Sequence, residues 1–147
     1  MKFFRETIVR SLSMIKYLID TNIISELSKQ SPEQSVLDWA STVNRCALSV
    51  VTIEEIYFGL AWRPNLKVMN LIEKFIDEYC EIIPITKSIA RRAGILRGQL
   101  QAAGITRTQA DIFIAATAAE HGLVVVTRNQ KDFEGCGVAL FDPFAGL

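Results

Sequence analysis

The chain has 147 residues, half of them hydrophobic, and its 16 basic and 16 acidic side chains cancel to a formal net charge of 0. That length suits one domain around one core. No run approaches the roughly 18 apolar residues of a membrane-spanning helix, so no membrane association is expected, and a neutral balance excludes polyanion binding driven by overall charge.

Residues 1–13 combine basic side chains with Glu6 and a broken apolar run, which does not make a signal peptide. They read as an N-terminal extension, disordered or a mis-called start, with the domain proper over residues 14–147. Tyr17, Leu18 and Ile19 read as a short buried strand that runs out at Asp20, and Thr21-Asn22 reads as the turn into a helix over residues 21–28. Ser31-Pro32-Glu33-Gln34 predicts a further helix start, with Ser31 at N-cap, Pro32 at N1 and Gln34 at N3, and an end near Val43. A second strand is expected over 46–51. A helix over 52–62 follows, with Thr52 at N-cap, and is stopped by Arg63-Pro64.

Apolar spacing through Leu66, Met69, Ile72, Phe75 and Ile76 predicts a helix over 66–79. Residues 81–85 form a short strand, assigned to a sheet edge because of Pro84. Helices over 86–103 and 108–120 come next, the second rich in Ala and buried. His121 precedes Gly122 at the end of that helix, where a polar ring suits the dipole. Residues 123–126 are an all-apolar strand of the parallel-sheet type, and 138–141 a weak last strand. Strands alternating with helices mean a single α/β domain, a mostly parallel central sheet with helices on both faces.

The side chains available for chemistry narrow the function. Cys46, Cys80 and Cys136 are odd in number and lack a C-x-x-C spacing. They read as small buried hydrophobes in a reducing, cytoplasmic compartment and not as a disulfide framework or zinc site. The single histidine, His121, excludes two-histidine ribonuclease chemistry and an H-E-x-x-H zinc site, and leaves little room for a Ser-His-Asp triad.

Three carboxylates stand out by position. Asp20 ends the first strand, Glu55 lies on the first turn of the helix after the second strand, and Asp111 lies on the first turn of the buried helix. Each also has a plain structural use: Asp20 as turn former or cap, Glu55 and Asp111 as capping-box partners of Thr52 and Thr108. In a parallel sheet, however, strand C-termini and the following helix N-termini share one edge, where ligands bind. All three acids therefore reach one pocket, and their mutual repulsion calls for a hard divalent cation, Mg²⁺ or Mn²⁺. Thr127, Arg128 and Asn129 follow the 123–126 strand to the same edge, and Arg128 suits phosphate. Asp132, three residues on, reads as a helix-start residue. From Ile85 to Ala110 the chain carries Lys87, Arg91, Arg92, Arg97 and Arg107 without an acid, a second candidate surface for phosphate contact.

Four blocks in order, Tyr17 to Leu27 (YLIDTNIISEL), Leu48 to Gly59 (LSVVTIEEIYFG), Ala110 to Ala116 (ADIFIAA) and Val126 to Asn129 (VTRN), resemble a PIN-domain ribonuclease, most of all the VapC-type toxins of bacterial toxin–antitoxin pairs. The closing Phe141-Asp142-Pro143-Phe144 resembles that family's Asn-Pro-Trp ending, and the resemblance covers residues 14 to 144. It implies an Mg²⁺-dependent endoribonuclease acting on RNA, a homodimer, held inactive in a hetero-oligomer with a cognate antitoxin. By motif position Asp20, Glu55 and Asp111 correspond to the metal-site acids, and Asn129 falls at the fourth catalytic position. Thr21, Asn22, Ser49 and Thr127 are expected to orient the carboxylates, and Arg128, Arg91, Arg92 and Arg107 to hold the RNA backbone. Tyr57, Trp62 and the helix from Leu66 are either partner surfaces or core.

Two rivals remain. Haloacid-dehalogenase-like phosphatases also place Asp after an apolar strand, but need a second Asp two residues on, where this chain has Asn22. The other is a PIN-like module that binds RNA or a partner without cutting.

Overall fold

A computed structural model describes residues 14–146; the expectation for residues 1–13 lies outside it. Five strands, β1 (Tyr17–Ile19), β2 (Cys46–Ser49), β3 (Cys80–Ile83), β4 (Val124–Val126) and β5 (Leu140–Phe141), form one sheet in the order β3-β2-β1-β4-β5. Every pairing is parallel, with Leu18 opposite Ala47 on one side and Val125 on the other. The helices are α1 (Thr21–Leu27), α2 (Gln34–Ala40), α3 (Val50–Trp62), α4 (Leu66–Tyr79), α5 (Lys87–Ala102) and α6 (Gln109–His121).

Side-chain alternation along the strands builds two cores. Leu18, Ala47 and Val125 point to one face, where residues of α5 and α6 cover them; Ile19, Cys46, Leu48 and Val126 point to the other, beneath α1 to α4. The handedness of parallel crossovers explains the division. The chain first steps outward from β1 through β2 to β3, and those connections lie on one face. It then returns across β1 to β4 and β5, and that crossover lies on the opposite face. The reversal of strand order at β1 and β4 opens a crevice beyond their carboxyl ends.

Several boundaries differ from the sequence expectation. The second helix begins at Gln34, not after Ser31, because Glu33 stays extended (φ −55°, ψ 132°) and its carbonyl accepts from the Val36 and Leu37 amides. It ends at Ala40, and Thr42 and Val43 only tighten the exit with bonds back to Trp39 and Ala40. β2 stops at Ser49, whose hydroxyl accepts from the Val51 amide at 3.1 Å and caps α3. Val50 and Val51 thus belong to the helix, and Thr52 is not its cap. β3 is an edge strand as expected, but it runs over Cys80–Ile83 and not 81–85, because Pro84 lacks the amide to continue the ladder. β5 is confined to Leu140–Phe141 and does not start at 138. Tyr57, Trp62 and Leu66 are exposed, by 72% for Trp62, so they are surface, while the rest of the helix from Leu66 is partly core through Ile72, Phe75 and Ile76.

Candidate active site

Asp20 stands where β1 meets α1. Its amide donates to Val126 O at 2.9 Å, which ties the end of β1 to the end of β4. Its Oδ1 accepts from the Thr21 amide at 2.9 Å, and its Oδ2 accepts from Asn22 Nδ2 at 3.1 Å and Thr127 Oγ1 at 2.9 Å. The residue is only 7% exposed. Burial lifts its carboxyl above the ordinary carboxylate range, against the lowering pull of these bonds, and the charge of Asp132 lifts it further.

Thr127 is the hub beneath it. This fully buried hydroxyl donates to Asp20 Oδ2 and accepts from Asn22 Nδ2 at 3.1 Å and from the Asn129 amide at 3.0 Å, the full capacity of one hydroxyl. Asn22 Oδ1 in turn accepts from the Arg128 amide at 3.1 Å. Three residues after β1 and three after β4 are thereby knitted into one rigid edge.

Glu55 reaches this edge from α3. With Ser49 as the cap, Glu55 stands in the second turn, so the capping-box explanation for it fails. Its Oε1 accepts from Thr21 Oγ1 at 3.4 Å. Burial raises its carboxyl first, followed by the charges of Asp20, Asp111 and Glu54. Asp111 arrives from α6, where Thr108 caps the helix and accepts from the Asp111 amide at 3.2 Å. Ile112, Ile114, Ala115, Ala116 and Ala118 are at most 1% exposed. Burying each isoleucine contributes roughly 1.5–3 kcal/mol, several times the roughly 0.3–1 kcal/mol of a first-turn carboxylate, so packing decides where Asp111 stands. Burial raises its carboxyl, as do Asp20 and Asp132, while Arg107 opposes them.

Asp20, Glu55 and Asp111 line one open cleft of about 650 Å³ together with Thr21, Asn22, Arg128 and Asn129. The Arg128 guanidinium lies over the Phe144 ring, 4.5 Å from its centroid, which holds it at the wall. Sequence reasoning missed other lining residues. Glu26, only 4% exposed, pairs with Lys29 at 2.7 Å. Asp132, read as a helix-start residue, does sit in a 3₁₀ turn over Gln130–Phe133 but also lines the cleft. The Thr-Arg-Asn block before it was the available signal, since a tight turn after a strand folds the next residues back over the same edge.

The other proposed side chains are not brought into the cleft. Ser49 caps α3. Arg107 donates through Nη2 to Glu134 O at 2.8 Å, and its Nε is buried without a partner. Arg92 pairs with Glu120 at 3.0 Å. Glu120 lies nine residues along α6 from Asp111, about 13 Å at 1.5 Å per residue, which puts Arg92 and its neighbour Arg91 at the far end of that helix.

Among the described residues, no three acid, thiol or imidazole side chains stand close enough to enclose a metal ion by themselves. Asp20, Glu55 and Asp111 offer the cleft carboxylate oxygens, each raised by burial and by a neighbouring acid. This set fits a hard cation that keeps part of its water shell, the habit of Mg²⁺.

Comparison with known proteins follows the same lines. The model of the PIN domain matches residues 17–135. A VapC ribonuclease of Sinorhizobium fredii is 33% identical over 135 residues, 86% of this chain and 96% of its own. The crystal structure of FitAcB from Neisseria gonorrhoeae superposes with a TM-score of 0.76 at 30% identity, covering 87% of this chain and 98% of that one. A toxin–antitoxin complex from Klebsiella pneumoniae gives a TM-score of 0.65 at 27% identity, with 87% and 98% covered.

Proposed function

The chain belongs to the PIN-domain family, and from that premise we propose that it is an endoribonuclease, the toxin of a toxin–antitoxin pair, that cleaves RNA phosphodiester bonds with Mg²⁺ or Mn²⁺. The observation that carries this reading is the arrival of Asp20, Glu55 and Asp111, from three separate elements, in one cleft at the strand-order reversal. A phosphatase of the two-aspartate type is not favoured, because Asn22 donates to Asp20 instead of supplying a second acid.

Asp20 and Asp111 would hold the cation, with Glu55 beside them. A bound divalent ion supplies charge stabilisation to a phosphoryl group and makes water a better nucleophile. The chain does the rest. Thr127, Asn22 and the Thr21 amide fix the Asp20 carboxylate in one orientation. Glu55, raised above its ordinary range and half-buried, is suited to accept a proton from water. Arg128, stacked on Phe144, presents a guanidinium to a phosphate. Lys29 serves less well, since Glu26 already neutralises it.

The partner is an antitoxin protein, in keeping with the complexes this fold resembles. The exposed Phe58, Trp62 and Leu66 support association with a second copy as a homodimer. No helix among the described residues is long and apolar enough to cross a membrane, and the buried free thiols suit the cytoplasm.

The test is a cleavage assay on total RNA with antitoxin-free protein. Cleavage with Mg²⁺ or Mn²⁺ is expected, with loss on EDTA and in Asp20→Asn. Undiminished cleavage by Asp20→Asn would overturn the assignment, and metal-independent RNA binding without cleavage would favour the non-cutting module.

A further inference from the structure

β2 and β3 pair in parallel register with Cys46 opposite Cys80. Both side chains lie in the same core cluster, 3% and 8% exposed, and their Sγ atoms are 3.6 Å apart. Cys136 is buried in the other cluster, on the opposite face of the sheet. The carboxylate cleft uses none of the three. We propose that Cys46 and Cys80 form a dithiol site that reacts with a low-molecular-weight disulfide and closes into a cross-strand disulfide.

The backbone already has the required span. Neighbouring strands lie roughly 4.8 Å apart, inside the about 4.4–6.8 Å between Cα atoms that a disulfide bridges. The sulfurs need to close from 3.6 Å to about 2.05 Å, by side-chain rotation together with a small local approach of the two strands. Access comes from one side. Cys46 lines an open cavity of about 420 Å³ with Trp39, Val43, Asn44, Arg45 and Tyr79; Cys80 does not line it.

The two thiols are also unequal. The two sulfurs share a hydrogen bond in which either can donate, and it holds the Cys46 thiol below the usual range against burial, with help from the Arg45 charge. The same bond, with burial, pushes the Cys80 thiol up. Cys46, the sulfur that lines the cavity, is the one an entering disulfide meets and is the attacking sulfur. Its thiolate bonds to one sulfur of R–S–S–R and expels R–S⁻, leaving a mixed disulfide. Capping Cys46 removes the bond and the charge that raised Cys80. The Cys80 thiolate then attacks Cys46 Sγ and expels the second R–S⁻. The two cysteine protons end on the two leaving thiolates, the cysteines are oxidised by two electrons, and the small disulfide is reduced by two.

Folded, reduced, full-length protein incubated with hydroxyethyl disulfide and then alkylated tests this by mass spectrometry. The expected product is lighter than the reduced protein by about 2 Da before alkylation, with the Cys46 and Cys80 peptides linked and Cys136 alkylated. Cys80→Ser should stop at a hydroxyethyl adduct on Cys46, and Cys46→Ser should take no adduct in the same time. Three alkylatable thiols in the wild type, or a linkage to Cys136, would overturn the proposal. Should either serine variant misfold, the wild-type peptide map decides alone.

Discussion

Thr127 Oγ1 donates to the carboxylate of Asp20 while the Asn22 amide and the Asn129 backbone donate to it. Replacing that hydroxyl by a methyl group of similar size, Thr127→Val, removes three bonds without opening a cavity. The cost in stability is expected at about 1–3 kcal/mol by denaturant unfolding, because the partners stay buried. Cleavage should fall by roughly 10–100-fold, the usual result of loosening a ligating carboxylate. Asp111 makes the opposite stability prediction. Burial and the charges of Asp20 and Asp132 raise its carboxyl on folding. Between the ordinary value of 3.8 and the raised one, the folded state binds more protons than the unfolded, so stability falls as pH rises through that window and stays low above it. Asp111→Asn should therefore melt higher than wild type at neutral pH without divalent cations. The gap should close as pH drops through the window. A variant that melts lower at neutral pH would contradict this.

At the scale of elements, caps separate what the sequence makes legible from what it hides. The span of α4 follows from its apolar spacing, and Thr108 caps α6 where expected, while Thr86, read as the first residue of its helix, is the cap of α5. The start of α3 was hidden. Val50 and Val51 are β-branched and continue an apolar run, so they read as strand; only the tertiary position of the Ser49 hydroxyl turns the chain into a helix there. That shift matters for function, because it moves Glu55 out of the first turn and leaves the cleft as the reason for its placement. Ser49→Ala should cost about 1 kcal/mol. Thr52→Val should be neutral or stabilising, since Thr52 Oγ1 is buried without a partner. The reverse ranking in thermal melts would restore Thr52 as the cap. Asp20 and Asp111 were legible because each abuts a recognisable element end, and Glu55 because its helix directly follows a strand. Glu26, Lys29 and Asp132 were not, since a short helix and a 3₁₀ turn have too little periodicity to show which side faces the cleft.

For the whole molecule, the fold concentrates unfavourable charge at one edge of an otherwise neutral chain. Asp20, Glu55 and Asp111 are each raised first by burial and then by neighbouring carboxylates: Asp132 for Asp20, Asp20 and Asp111 for Glu55, Asp20 and Asp132 for Asp111. Folding thus stores repulsion that a cation relieves, and relief of that kind appears as stability by mass action. At a Mg²⁺ concentration about 100 times its dissociation constant, the gain is about 2.7 kcal/mol, on the order of 8 °C in the melting midpoint for a domain of this size. The shift should grow with the logarithm of Mg²⁺ concentration above the dissociation constant, and Asp20→Asn should lose most of it. Asp111→Asn, already relieved of one charge, should start higher and gain less. A uniform shift in all three proteins would mean that the cation acts on general surface charge. In that case the cleft would be no more than an acidic edge of the sheet. A shift confined to the wild type, followed by cleavage over the same Mg²⁺ range, would tie the stored repulsion to catalysis.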